Sequence, residues 1–158
     1  MSEIALDDEG LIHDEASQSS DLVGLRVRTG GLSIVAGLIH LWVTPAHVAE
    51  WWGYGLFFAA MALAQLAFGV LWLSIELDDG RMRDLITAGL VGHLALLLLY
   101  IVTRTSGIPL LGPHVGLVES VSLIDVISKA VEIALMVQLV VANAETAESD
   151  QPQRVKIA

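Results

Sequence analysis

The sequence predicts an all-α integral membrane protein: a four-helix bundle with a short interfacial helix between its first and second spans. Two observations carry this. Of the 158 residues 54% are hydrophobic, with a mean hydropathy of +0.67, more than a soluble domain of this length carries. The apolar residues also fall into four blocks, at 24–44, 56–76, 85–104 and 121–141. Each is about 20 residues long, the length at which a helix rising ~1.5 Å per residue crosses a ~30 Å hydrocarbon core. The expected organisation is an acidic disordered tail over 1–22, a four-helix transmembrane domain over 23–142 and a second disordered tail over 143–158.

The first 21 residues hold seven acids, and no Lys or Arg precedes Arg26, the opposite of a secretory signal's basic start. Both tails lack the apolar surface that would offset the entropy of ordering. Cysteine is absent, which removes disulfides, thiolate metal sites and thiol catalysis. The formal net charge of −10 disfavours nucleic acid and anionic lipid surfaces as partners. The lipid bilayer is the expected partner, with other membrane proteins or further copies of the chain beside it.

The first block contains Gly30, Gly31 and Gly37, small residues that let helix backbones approach closely. It ends in "HLWVTPAHVAEWWGYG", where Thr44 as N-cap and Pro45 at the first helical position predict a new, short helix. The second block has Ala60 and Ala64 in small-xxx-small spacing and one strongly polar interior residue, Gln65. An Asp-Asp-Gly turn then predicts that the second and third helices are antiparallel neighbours. The segment "SGIPLLGPHVG" predicts a shaped, turn-rich loop before the fourth helix.

Basic residues set orientation, because Lys and Arg flanking membrane helices stay cytoplasmic. Arg26, Arg28, Arg81, Arg83, Arg154 and Lys156 fall on one side of the predicted bundle. A multi-pass protein of the plasma membrane with both termini cytoplasmic follows, and loops 45–55 and 105–120 face outward. Trp42, Trp51, Trp52, Tyr54 and Tyr100 belong near that outer interface.

The outer side also gathers His40, His47, Glu50, His114 and Glu119, imidazoles and carboxylates of the kind that suit a transition metal ion. His47 and Glu50 are three apart and share a helix face. Against this stands a plainer reading, a solvated rim anchored by tryptophans. His40 and His93, on different helices, form the pair that would ligate haem iron axially. Each would otherwise hydrogen-bond across the bundle.

The fourth helix puts Asp125, Lys129 and Glu132 at i, i+4 and i+7, one face, with Asp125 and Lys129 the natural intrahelical pair. Ionisable groups in hydrocarbon cost roughly 2.5–3.5 kcal/mol each, so these should face inward and pair. With Arg104, Gln65 and His93 they form a candidate buried polar network, either a clasp between helices or an ion or proton path. No catalytic triad, phosphate-cradling loop or dinucleotide fingerprint occurs.

The H-L-x-x-x-P-x-H segment at His40–His47, the R-T-x-G-I-P loop beginning at Arg104 and the acidic fourth helix resemble those of a group of small, uncharacterised four-span prokaryotic membrane proteins. The resemblance spans about residues 30–140. It implies a four-helix membrane unit and brings no activity. Three functions are therefore expected to compete: a binding or accessory protein with a metal or small redox ligand at the outer His/Glu site, a structural subunit of a larger membrane complex, and an oligomeric ion or proton pathway.

Overall fold

A computed structural model describes residues 5–74, 78–108 and 112–149. Its elements are four helices, α1 (Ala5–Glu50), α2 (Trp52–Ser74), α3 (Asp79–Thr105) and α4 (Leu123–Ser149), with no strand among the described residues. Among the described residues three stretches are long and apolar enough to cross a membrane: Leu22–Glu50 of α1, Trp52–Ser74 and Gly80–Thr105. The sequence predicts four. α4, with Asp125, Lys129 and Glu132 in its first three turns, is not among them.

The helices are longer than the apolar blocks. α1 extends back to Ala5, into the stretch expected as a disordered tail, and α4 runs on to Ser149. Acidic side chains are favourable near a helix N-terminus, and the Ala and Glu of 142–149 are good helix formers. Residues 1–4 and 150–158 of the expected tails, including Arg154 and Lys156, lie outside the described residues.

The separate interfacial helix is not there. Pro45 stands inside α1, and the whole "PAHVAE" segment continues that helix. Proline deletes one bond, the one Leu41 O would accept, but the neighbouring turns hold. Thr44, expected as an N-cap, donates its hydroxyl back to His40 O (2.8 Å), and Trp51 N–H closes on His47 O (3.0 Å). A single residue, Trp51, then separates α1 from α2, whose first turn bonds back to Trp51 O.

Close backbone approaches link α1 with α2, α1 with α4 and α3 with α4. α2 and α3 meet more loosely, through side chains: Phe68 reaches Gly89 and Gln65 faces His93. Small residues explain the tightest seam. A Cβ at Gly69 would lie 2.8 Å from Gly30 O, and one at Gly37 would lie 3.0 Å from Ala62 O, so α1 and α2 meet at a distance that only glycine permits. Ser33 donates to Gln65 O across that seam (2.7 Å).

At the end bearing the arginines, Leu25, Trp72, Ile86, Leu135, Leu139 and Ala142 form an apolar core. Arg26 donates to Trp72 O (3.0 Å) near the end of α2, and Arg83 to Thr146 O (3.5 Å) near the end of α4. Cations thus sit at helix C-termini, where the dipole favours them. Asp78 caps α3 by accepting from Arg81 N–H (3.0 Å).

The exterior is apolar and part of the interior is polar. Leu38, Leu63, Val70, Val91, Leu98, Val137 and Val140 are exposed, whereas Thr29, Ser33, His40, Gln65, His93, Ser128 and Glu132 are buried. A chain folded in water buries the first set in preference to the second.

Candidate functional site

The loop from Thr105 to α4 is shaped as its glycines and prolines predict. Gly107 adopts φ +88°, and a Cβ there would strike the backbone of Gly116. The two arms join through Ile108 N–H to Leu117 O (3.2 Å) and Gly116 N–H to Ile108 O (3.0 Å). Glu119 N–H ties the loop to Thr103 O (3.2 Å), and His114 N–H reaches the Tyr54 hydroxyl (3.4 Å) on α2. α4 begins with a reciprocal cap. Asp125 N–H donates to Ser122 Oγ (3.3 Å) while Ser122 N–H donates to Asp125 Oδ2 (2.8 Å).

The five residues read as either metal ligands or a solvated rim do not gather at one point among the described residues. His47 lies 3.3 Å from Glu50 and stacks on Phe58, its ring centroid 3.9 Å away and nearly parallel. His114 stands beside Tyr54. Glu119 is taken by Arg104, which donates also to Asp125 (3.0 Å). His40 turns into the bundle. Among the described residues, no three His, Asp or Glu come together as a metal-holding group.

What the fold does bring together is His40 of α1, Gln65 of α2, His93 of α3 and Glu132 and Lys129 of α4, one site built from all four helices. Gln65 is the hub. His40 Nδ1 is 2.8 Å from Gln65 Oε1 and 3.1 Å from Ala36 O. Both are acceptors, so Nδ1 carries the hydrogen. His93 Nδ1 likewise lies 2.8 Å from Gly89 O and donates to it. Its Nε2 is left as an acceptor, facing Gln65 Nε2 at 3.4 Å. The amide therefore reads both imidazoles in one orientation: it accepts from His40 and donates to His93. Gln65 thus bridges the two rings, so His40 and His93 hydrogen-bond across the bundle, the reading set against haem ligation.

His40 Nε2 faces Glu132 Oε1 at 3.5 Å. With the hydrogen on Nδ1, the Nε2 lone pair faces that carboxylate oxygen, which accepts no hydrogen bond among the described residues. Lys129 pairs with the other oxygen of Glu132, one turn along α4. The carboxylate is fully buried (0% exposed), and Lys129 is the charge that offsets its desolvation. Lys129 thus chooses Glu132 over the expected Asp125, because Arg104 and the α4 cap already occupy Asp125.

Tyr100 connects this centre to the loop. Its ring lies 5.4 Å from Lys129 Nζ and 5.0 Å from Arg104 Cζ, cation–π distances on both sides. Sequence reasoning placed Tyr100 only in an interfacial belt. Its signal was the i, i+4 spacing to Arg104 on one helix.

On the other side the centre borders a groove of 170 Å³ between α2 and α3, lined by Met61, Ala64, Gln65, Phe68, Ala88, Gly89, Gly92, His93 and Leu96. Ala64, Ala88 and Gly92 are exposed, so the groove opens outward through the apolar exterior.

Fold and interior together define a four-helix α protein with an apolar outside and a buried His–Gln–His–Glu–Lys centre. Comparison with protein-family models, curated proteins and solved structures finds no match for this chain.

Proposed function

We propose that the chain is an integral membrane binding protein, multi-pass in the plasma membrane, whose site is the buried His40–Gln65–His93–Glu132–Lys129 centre. One observation carries this reading: four buried polar side chains, His40, Gln65, His93 and Glu132, converge from four helices inside an apolar exterior with half-buried Lys129 beside them, and two of them, Gln65 and His93, also line an open groove. Burying such groups is costly, and in a membrane protein they mark substrate or ion sites. The gathering of Arg26 and Arg83 at one end, with the loop at the other, supports an orientation with that basic end cytoplasmic. A metal or redox ligand on the outer rim has less support, since His47, Glu50, His114 and Glu119 are engaged separately.

The test is to purify the protein in mild detergent, denature it, and identify what it releases by mass spectrometry, alongside elemental analysis and an absorption spectrum. One organic molecule per chain, lost in His93→Leu and kept in His47→Ala, is the expected result. Stoichiometric metal lost in His47→Ala would move the site to the rim.

A second reading, a proton path, is favoured by the run Glu132–Lys129–Tyr100–Arg104–Asp125, which leads from the centre to the outer loop. Proton flux in proteoliposomes, abolished by Glu132→Gln, would establish it.

A further inference from the structure

We infer that the groove between α2 and α3 binds a lipid-soluble ring bearing hydroxyl or carbonyl oxygens, of the quinol–quinone class, with its oxygen on His93 Nε2 and Gln65 Nε2. The inference rests on the reading of the buried centre as a binding site and names its ligand.

Three features of the groove specify the class. Its volume of 170 Å³ is that of a single ring, since apolar protein cavities of ~150 Å³ take up benzene. Its walls are flat on one side, where Ala64, Ala88, Gly89 and Gly92 present little beyond backbone, and aromatic on another, where Phe68 reaches to Gly89. Phe68 already packs on Gly89, so an entering ring would lie beside the Phe68 ring, over Ala88 and Gly92. The groove opens at exposed Ala64, Ala88 and Gly92, on an exterior whose exposed large side chains are apolar along both helices, so its occupant comes from an apolar phase.

The polar end specifies the oxygen. His93 and Gln65 are 5% and 4% exposed, so each is nine-tenths buried. His93 Nδ1–H is committed to Gly89 O, which leaves Nε2 as an acceptor. Its present donor, Gln65 Nε2, stands 3.4 Å away, well beyond the usual 2.9–3.0 Å. A ring hydroxyl entering the groove would donate to His93 Nε2, and a Gln65 N–H would donate to the same oxygen or to a ring carbonyl. Gln65 Oε1 meanwhile stays bonded to His40, so binding needs no rearrangement of the rest of the centre.

Trp72 supplies the readout. It is buried and stacked on Phe68, with ring centroids 5.7 Å apart, and quinones quench indole fluorescence at short range. The full chain carrying Trp42→Phe, Trp51→Phe and Trp52→Phe keeps Trp72 as its only indole. Reconstituted in phosphatidylglycerol nanodiscs, it is titrated with decylubiquinone. Saturable quenching is expected, weakened at least tenfold by His93→Leu. Gly92→Phe is the second variant: a Cβ at Gly92 meets nothing within 4 Å, so the added ring enters the groove without pressing on the fold. It should also weaken binding at least tenfold.

Quenching that rises linearly and equally in wild type and Gly92→Phe would overturn the proposal, because that is partition into lipid. Competition by decylbenzene as strong as by decylquinol would also overturn it, making the groove a slot for hydrocarbon chains. If quinone fails to bind while a different molecule is released from wild type and lost in His93→Leu, the ligand class falls and the binding site stands. If neither binds, both fall.

Discussion

Glu132→Gln should destabilise the protein by removing the only carboxylate that pairs with Lys129. The substitution keeps the shape of the side chain and leaves an oxygen to accept from Lys129, so the loss reports chiefly the missing charge. Lys129 is 14% exposed at its side chain, and the next carboxylate, Asp125, is held by Arg104 and Ser122. Removing one member of a buried ion pair costs about 3–5 kcal/mol, and an ionised group alone in hydrocarbon about 2.5–3.5. The Tyr100 ring offsets ~0.5–2 kcal/mol of that. A net loss of about 2–3 kcal/mol remains, or roughly 30- to 150-fold in the folding equilibrium at 1.4 kcal/mol per factor of ten. Lys129→Met leaves the Glu132 carboxylate buried without its cation and should cost a comparable amount. The double variant removes both charges and should return to within about 1 kcal/mol of wild type. Reversible unfolding in mixed micelles, followed by circular dichroism, measures all four corners of the cycle. If Glu132→Gln lies within about 0.5 kcal/mol of wild type, or the double variant is as unstable as Glu132→Gln alone, the pair is not what neutralises the centre.

Three further outcomes are expected. Gly69→Ala should lose stability, since its Cβ would meet Gly30 O at 2.8 Å and overpacking costs about 1–3 kcal/mol, while Gly31→Ala, which meets nothing within 4 Å, should gain up to ~1 kcal/mol from helix propensity. The same unfolding assay compares them, and equal effects would contradict the close α1–α2 seam. Arg104→Ala should leave Glu119 and Asp125 without their cation and free the outer loop, seen as at least tenfold faster hydrogen exchange at the Glu119 and Leu117 amides; unchanged rates would show that the backbone alone holds the loop. In intact cells, an impermeant maleimide should label His114→Cys and miss Gly80→Cys, and the opposite pattern would invert the proposed orientation.

Much of the chain's layout was legible because it depends on local physics. Three of the four apolar runs and the Gly/Pro-rich loop act within a few residues and lie where the sequence predicts them; the Asp78 cap, equally local, falls where the sequence predicts only a turn. The one-face placement of Asp125, Lys129 and Glu132 follows from helical spacing, but not their partners. Whether Lys129 meets Asp125 or Glu132 depends on Arg104, which arrives from another helix. Pro45 misled for a related reason. Its ring forbids one bond in either setting, and only the surrounding turns, with Thr44 bonding back to His40, decide that the helix continues.

The sequence by itself determined the helical class, the apolar spans, the basic end and the stock of polar groups, because composition and period are properties of the chain. Only the tertiary structure decided which of those groups share a site. His40 left the outer set for the interior, Gln65 came to join it to His93, and the seam between α2 and α3 was left as a groove instead of a packed face. The physical reason is that a helix's period says which residues share its face but not which helix that face meets. Here Gly30, Gly37 and Gly69 drew α1 onto α2, and α4 closed against α1 and α3 around a carboxylate that needed a lysine.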